Sequence, residues 1–157
     1  MTVAVITISD RASRGEYEDL SGPEIAREVL ARYPSAAVTR SIVADEPDAI
    51  LAELHAHAGA DFILTTGGTG LSPRDVTPEV TRRFCEKEVP GIAEVLRAQS
   101  YAETPAAMLS RGAAGLRGST VVVNFPGSPK AVRLCMKVLG PVMEHAIRMI
   151  RAEGHAP

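Results

Sequence analysis

The chain contains the segment Asp61-Phe62-Ile63-Leu64-Thr65-Thr66-Gly67-Gly68-Thr69-Gly70, in which a short apolar run passes directly into a glycine-rich loop. Residues 71–79, Leu-Ser-Pro-Arg-Asp-Val-Thr-Pro-Glu, follow at once. We interpret this junction as a strand, a glycine loop, a charged elbow formed by the residues between that loop and Thr77, and a helix. Thr77 is the predicted helix N-cap and Pro78 its first position. Three glycines among four residues let the backbone adopt positive φ and let its N–H groups converge on an anion. The loop therefore suits a phosphate group.

The glycine loop alone also fits a tight turn between a strand and a helix, with no ligand. It lacks the Lys-Ser/Thr ending of a P-loop and the Gly-x-Gly-x-x-Gly spacing of a dinucleotide site. Arg74 and Asp75 make the signal more specific, because a fixed cation and a carboxylate oxygen stand where a phosphate and its Mg²⁺ would lie.

Strand-like and helix-like segments alternate along the chain. The apolar, β-branched run 3–8 predicts a central strand, and residues 38–43 and 119–125 predict two more. We expect a three-layer αβα sandwich with a mainly parallel central sheet, in one domain spanning residues 1–157. For 105–118 we expect only a short helix and a loop. Helices are predicted from the capping-box sequence Ser21-Gly22-Pro23-Glu24, from Asp45, and over residues 78–87, 92–101, 128–138 and 142–150.

The composition gives no case for nucleic acid or membrane binding. The chain carries 17 basic and 19 acidic residues, a formal charge of −2. No apolar run approaches the length of a bilayer span, and no charged n-region precedes the first strand, which favours a cytoplasmic location. Cys85 and Cys135 lie in helix-like patterns and are predicted to be packing residues, and the four histidines offer no zinc ligand set.

Polar or glycine-rich loops follow four of the predicted strands. In parallel α/β sheets, ligands bind outside the carboxyl ends of the strands, near a switch in strand order. We therefore expect one site that collects Asp10, Asp45, Arg74, Asp75, Ser128 and Lys130 around a nucleotide-binding loop of Thr66, Gly67, Gly68, Thr69 and Gly70.

Asp45 and Asp75 are the candidate catalytic and metal-binding pair. Nucleotidyl transfer needs Mg²⁺ held by one or two carboxylates while substrate phosphates complete the octahedral shell. The glycine loop and the helix N-terminus at Ser128 would donate N–H groups to phosphate oxygens. Lys130 or Arg74 would counter charge on the leaving group.

Each candidate also has a purely structural interpretation. Asp45 stands where a helix N-cap belongs. Asp75 could simply pair with Arg74 or Arg82. The remaining alternatives are a salt-bridged loop for Asp10 and Arg11, helix initiation for Ser128 and Pro129, and a solvated surface charge for Lys130.

Several short motifs occur in a fixed order: Ile8-Ser9-Asp10-Arg11, residues 65–70, residues 72–79, Pro90-Gly91, Leu109-Ser110-Arg111 and residues 126–131. Together they resemble the MogA/MoaB family of molybdenum cofactor biosynthesis, from Val3 to about Ile150. The resemblance implies a molybdopterin adenylyltransferase, which joins AMP from Mg-ATP to the terminal phosphate of molybdopterin and releases pyrophosphate. It also implies a homotrimer and hand-over of the product to a separate molybdenum insertase.

The resemblance also implies roles for individual residues. Asp45 and Asp75 would act with Mg²⁺ and ATP, and Gly67 to Gly70 would surround the nucleotide. Ser128, Pro129 and Lys130 would bind the pterin side of the substrate. We expect Asp10 to bind substrate as well. Residues 14–19 occur in MoaB-type members too, so the MogA and MoaB branches both stay open. The alternatives are a non-catalytic carrier or scaffold for molybdopterin, and a regulator that senses ATP without chemistry.

Overall fold

The computed structural model describes residues 1–152. The last five residues of the predicted domain, 153–157, lie outside the described residues, and the prediction of one domain stays a prediction. The strands are β1 (Thr2–Ile8), β2 (Ala37–Val43), β3 (Phe62–Thr66), β4 (Lys87–Glu88), β5 (Ala114–Arg117) and β6 (Thr120–Phe125). The α-helices are α1 (Asp10–Ser13), α2 (Ser21–Arg32), α3 (Pro47–Ala56), α4 (Thr77–Phe84), α5 (Pro90–Tyr101), α6 (Pro129–Leu139) and α7 (Met143–Ile150), with 3₁₀ turns at Pro105–Leu109 and Gly140–Val142.

The strands form a sheet in the order β2-β1-β3-β6-β5-β4. The first four strands in this order run parallel, while β5 and β4 add antiparallel at one edge. The predicted three-layer fold with a mainly parallel sheet is confirmed. Because β1 lies between β2 and β3, the direction of strand addition reverses beside β1. That reversal is the position where α/β sheets open a ligand crevice.

Each face of the sheet is covered by its own apolar layer. Val3 and Val5 of β1 pack with α2 and α6 in one cluster, whereas Ala4 and Ile6 pack with α3 and α4 in the other. The side chains of a strand alternate between its two faces, so both neighbours of each residue belong to the opposite layer. This double coverage explains why the run 3–8 is apolar at nearly every position.

Two predicted helix starts are wrong. Ser21 and Thr77 are the first helical residues of α2 and α4, not their N-caps. In α2, the carboxylate of Asp19 takes the capping role by accepting from Gly22 N at 2.9 Å. Helix α4 also ends at Phe84 rather than 87, because the following residues enter β4.

The predicted start of α6 is confirmed. Ser128 is the N-cap and its Oγ accepts from Ala131 N at 3.3 Å, with Pro129 at the first helical position. The packing role predicted for the cysteines is confirmed as well. Cys135 belongs to one apolar cluster and Cys85 packs against the other. Burial raises the pKa of the Cys135 thiol to about 12. Over residues 1–152, no helix is both long and apolar enough to cross a membrane.

Candidate active site

The glycine loop lies tightly on the carboxyl ends of β1 and β6. Gly67 and Gly68 have φ of 98° and 63°, a region that residues with a side chain rarely adopt. A Cβ on Gly67 would overlap the carbonyl oxygen of Ile8, and one on Gly68 would overlap Thr77 Oγ1. Gly67 N donates to Phe125 O at 3.2 Å. The positive φ and the close packing, against backbone at Gly67 and against a side chain at Gly68, therefore favour glycine at both positions, whatever ligand the loop binds.

The two loops that follow β1 and β2 are joined by a pair of aspartates. Asp10 N donates to Asp45 Oδ2 at 2.8 Å, and Asp45 N donates to Asp10 Oδ1 at 3.0 Å. Arg74 comes from the elbow after the glycine loop and donates to both carboxylate oxygens of Asp10, with Nη2 2.9 Å from each. It also contacts Glu46 Oε1 at 2.8 Å. The elbow is thereby tied to both aspartate loops.

The aspartates of this cluster have shifted pKa values of opposite direction. The hydrogen bonds from Arg74 are the largest influence on Asp10 and lower the pKa of its carboxyl. Burial raises the pKa of Asp45, and the negative charges of Asp10 and Asp75 raise it further. Of these two carboxylates, Asp45 therefore gains more from a nearby cation.

Asp75 lies at the other end of the glycine loop. Its Oδ2 accepts from Ser72 N at 2.8 Å, which fixes the carboxylate in the turn of the elbow. An ideal Cβ on Gly70 would lie 3.0 Å from Asp75 Oδ2, and one on Gly68 would lie 3.2 Å from Asp45 Oδ1. The two carboxylates thus border the same three-residue stretch of loop backbone.

The structure contradicts the structural interpretations given above for Asp45 and Asp75. Helix α3 begins at Pro47 with Glu46 as its N-cap, so Asp45 does not cap it. Among the ion pairs of residues 1–152, Arg74 joins Asp10 and Glu46 while Arg82 joins Glu79 and Glu88, and neither joins Asp75. The predicted salt-bridged loop is confirmed for Asp10, which pairs with Arg74, whereas among the described residues Arg11 forms no ion pair and lies over the Tyr17 ring at 4.9 Å.

The donor set fits a magnesium ion that is held mainly by substrate. Within the described residues, no group of three or more His, Cys, Asp or Glu side chains is placed to hold a metal ion. Asp45 and Asp75 remain as two hard oxygen donors, next to Gly68 and Gly70 of the glycine loop. Mg²⁺ is commonly bound by one or two carboxylates, water and substrate phosphates rather than by an all-protein cage.

The remaining predicted residues lie beside this cluster rather than in it. Thr66 is buried and its Oγ1 donates to Pro126 O at 2.7 Å, so it links the loops that follow β3 and β6. Thr69 is buried in the loop itself. Ser128 and Pro129 start α6 next to the glycine loop. The side chain of Lys130 is 74% exposed and pairs with Glu103 Oε2 at 3.1 Å.

Arg111 is a residue of this region that we did not predict from its chemistry. Its backbone N donates to Thr69 O at 2.9 Å, and its guanidinium donates to Gly70 O at 2.7 Å, to Asp75 O and to Glu79. Arg111 therefore connects the glycine loop to the elbow. The motif Leu109-Ser110-Arg111 marked the position, but its spacing gave no sign of these contacts.

Three comparisons place this geometry among known proteins. Residues 4–145 match the family model "Probable molybdopterin binding domain". The chain is 41% identical to the molybdopterin adenylyltransferase of Helicobacter pylori strain J99, over 94% of this chain and 86% of that protein. Its structure matches that of MogA with a TM-score of 0.89 at 38% identity, covering 96% of this chain and 99% of the other.

A further solved structure, the molybdopterin biosynthesis enzyme MoaB of Thermus thermophilus, matches with a TM-score of 0.84 at 45% identity. The match covers 96% of both chains. The similarity thus extends over nearly the whole fold, including every loop of the candidate site. The chain belongs to the molybdopterin-binding family of molybdenum cofactor biosynthesis that includes MogA and MoaB.

Proposed function

We propose that this protein is a molybdopterin adenylyltransferase that transfers AMP from Mg-ATP to the molybdopterin phosphate and releases pyrophosphate. The observation that carries the proposal is the position of Asp45 and Asp75, which border one glycine loop at the switch point of the sheet. Backbone N–H groups and two hard carboxylates together suit a magnesium nucleotide, while Arg74 holds Asp10 and Glu46 beside them.

In the proposed reaction, a phosphate oxygen of the pterin attacks the α-phosphorus of ATP in line. The bond to the β-phosphate oxygen breaks, and pyrophosphate leaves with both electrons of that bond. The protein supplies no nucleophile. Its glycine loop orients the phosphates through N–H groups, and Asp45 and Asp75 would hold the Mg²⁺. When bound, that ion neutralises negative charge on the phosphate groups.

We assign the pterin side of the site to Asp10, Ser128, Pro129 and Lys130. The ion pair of Lys130 with Glu103 is exposed, so Lys130 can exchange this partner for a phosphate at little cost. We further propose that the protein works as a cytoplasmic homotrimer and passes its adenylylated product to a separate molybdenum insertase. The similarity to family members over nearly their whole length supports these proposals.

A non-catalytic molybdopterin carrier is the second candidate. The observation that favours it is the family model over residues 4–145, whose description names molybdopterin binding and no reaction. A carrier would bind the pterin in the same cleft without turnover.

The test is pyrophosphate release from Mg-ATP by the purified protein, with and without molybdopterin. Adenylyl transfer predicts release that requires both the pterin and Mg²⁺. Pterin binding without pyrophosphate release would overturn this proposal and support the carrier. ATP binding that is insensitive to pterin, with no release, would instead favour an ATP sensor.

A further inference from the structure

The elbow that carries Asp75 is held in place by polar contacts rather than by apolar burial over its first part. Residues 71–74 are all exposed, and Leu71 is 65% exposed. Within the elbow, Asp75 N donates to Ser72 O at 2.9 Å, which closes a turn but does not attach that turn to the rest of the fold. The position of the elbow therefore depends on hydrogen bonds to other loops.

Two arginines connect the elbow to its surroundings. Arg111, from the segment before β5, donates to Asp75 O. On the other side, Arg74 reaches the loops that follow β1 and β2 through Asp10 and Glu46. Among the residues that the structure describes, Arg74 is the only elbow residue whose side chain forms a hydrogen bond or ion pair outside the elbow. The link between the elbow and the aspartate loops therefore depends on this one side chain.

Both partners of Arg74 are fixed next to Asp45. Asp10 exchanges two hydrogen bonds with Asp45. Glu46 is the next residue of the chain and the N-cap of α3, whose backbone donates a hydrogen bond to its carbonyl oxygen. Arg74 is in turn the sequence neighbour of Asp75. The ion pair between Arg74 and Glu46 therefore limits how far the two candidate metal-binding carboxylates can separate.

Arg74 also supplies positive charge to a group of carboxylates. Among the ion pairs of residues 1–152, it is the only cation that pairs with any member of the group Asp10, Asp45, Glu46 and Asp75. Like charges on neighbouring loops repel each other, so loss of Arg74 would favour an elbow that moves away from the loops after β1 and β2.

The guanidinium edge of Arg74 that could hold a phosphate side-on is already occupied. Its Nη2 lies 2.9 Å from both carboxylate oxygens of Asp10 and 2.8 Å from Glu46 Oε1, and its Nε lies 3.1 Å from Asp10 Oδ2. A phosphate with two parallel hydrogen bonds along this edge would have to displace Asp10. The geometry therefore favours a structural use of this cation.

We propose that the contacts of Arg74 with Asp10 and Glu46 form a clasp, which keeps the two candidate metal-binding carboxylates beside the same stretch of glycine loop. Arg74 and Glu46 are then positioning residues that prepare the site for Mg²⁺, and Arg74 does not bind the leaving phosphate groups. This inference rests on the proposed magnesium-dependent function. It replaces the expectation that Arg74 counters charge on the leaving group.

The test is a double-mutant cycle of Arg74→Gln and Glu46→Gln, with Glu28→Gln as the matched control. Arg27 on α2 is likewise exposed and shared between two carboxylates, those of Glu24 and Glu28, each 2.7 Å from its Nη2. Binding of ATP, without molybdopterin, is measured by calorimetry over a series of Mg²⁺ concentrations and in EDTA. Amide hydrogen exchange of the elbow is measured in the metal-free protein.

The clasp predicts an effect of Arg74→Gln that is opposite to the effect of charge. Loss of a positive charge alone would strengthen Mg²⁺ binding. We expect instead that the Mg²⁺ concentration for half-maximal ATP binding rises by about tenfold in Arg74→Gln and by about fivefold in Glu46→Gln. The double variant should be no worse than Arg74→Gln, because both changes break the same contact. Elbow amides should exchange faster in both single variants, while Glu28→Gln should match the unaltered protein in both measurements.

A phosphate-binding role for Arg74 gives a different pattern. Glu46→Gln would then release Arg74 and tighten ATP binding, and Arg74→Gln would weaken ATP binding equally with Mg²⁺ and in EDTA. Either result, or additive losses in the double variant, would overturn the clasp. Thermal unfolding shows whether each variant is folded. Arg74→Lys keeps the charge but not the planar fork, so it should lose nearly as much as Arg74→Gln.

Failure of the proposed function is distinguishable from failure of the clasp. If the variants show the expected pattern but no pyrophosphate is released with molybdopterin, the clasp stands and adenylyl transfer does not. If the unaltered protein does not bind Mg-ATP, the proposed function fails and hydrogen exchange decides the clasp. Unchanged exchange of the elbow in Arg74→Gln would then overturn it, and faster exchange would support it.

Discussion

Asp10 and Asp45 exchange hydrogen bonds, each backbone N–H donating to the carboxylate of the other, at 2.8 and 3.0 Å. This reciprocal pair ties the loop after β1 to the loop after β2 at the switch point of the sheet. The two carboxylates of this pair differ in how their negative charge is compensated. Arg74 neutralises Asp10, which leaves Asp45 as the half-buried carboxylate with the raised pKa. A metal ion at Asp45 would relieve the cost of that burial.

Asp75→Asn should reduce turnover by about a hundredfold or more while leaving the fold intact. The substitution removes a charge from the proposed metal site, yet an asparagine oxygen can still accept from Ser72 N. Pyrophosphate release and thermal unfolding are measured together. Asp48→Asn, an exposed aspartate in the first turn of α3, is the control and should keep full turnover. Near-normal turnover in Asp75→Asn would rule out its catalytic role.

Asp45→Asn should separate stability from activity. The pKa of Asp45 is raised in the folded protein, so its contribution to stability is present below the pKa of the unfolded chain and is lost as pH rises through the folded pKa. At pH 7 the native protein bears the cost of the buried charge, and the asparagine removes it. We expect an equal or higher midpoint of thermal unfolding at pH 7, no gain at acid pH, and loss of turnover.

The matching comparison for this variant is the pH dependence of thermal unfolding of the unaltered protein, measured without Mg²⁺. The unaltered protein should lose stability relative to Asp45→Asn as pH rises through the raised pKa of Asp45. If Asp45→Asn unfolds at a lower temperature than the unaltered protein at pH 7, then burial is not the largest influence on the pKa of Asp45. The upward direction assigned to that pKa shift would then be wrong.

The parts of the fold that are predictable from sequence are those with local signals. The apolar run 3–8 and the run before the glycine loop mark strands covered on both faces, and Ser128-Pro129 marks a helix start. Strand β5 (Ala114–Arg117) escapes prediction because its four residues include a glycine and lack apolar alternation. It becomes a strand only by pairing with β6, as in Ala114 beside Val123.

Helix caps and backbone contacts depend on partners distant in sequence. Thr77 precedes Pro78 and has the pattern of a cap, but its hydroxyl donates to Gly67 O at 3.1 Å instead. Asp45 likewise has the position of a cap, but its carboxylate accepts a hydrogen bond from Asp10 N instead. Arg111 contacts Gly70 across 41 residues of chain. A local pattern cannot show which of several possible partners a side chain will meet. The sequence therefore predicts which residues belong to the site but not the hydrogen bonds that they form.

Gly68→Ala should be more damaging than Gly15→Ala, although the two glycines have similar φ of 63° and 70°. Both variants bear the strain of positive φ, about 1 kcal/mol or more. At Gly15 no atom lies within 4 Å of the added Cβ, whereas at Gly68 it overlaps Thr77 Oγ1. We expect Gly68→Ala to lose about 1 kcal/mol more, the worth of one hydrogen bond, together with most activity. Urea unfolding measures the loss of unfolding free energy in both variants. Equal losses would show that steric contact at the loop is unimportant.

Arg111→Lys should impair the site without touching a substrate. A lysine has one compact charged group and cannot hold Gly70 O, Asp75 O and Glu79 at once, so the elbow that carries Asp75 loses its fixed position. We expect the Mg²⁺ concentration for half-maximal turnover to rise by about tenfold, since each lost bond of this kind is worth about 1 kcal/mol. Arg117→Lys is the matched control, because Arg117 also donates to a backbone carbonyl, Phe84 O at 2.8 Å, but at the far end of β5. A rise in the Mg²⁺ requirement in Arg111→Lys alone identifies a positioning role, whereas equal changes in the two variants would reduce Arg111 to general stabilisation of the fold.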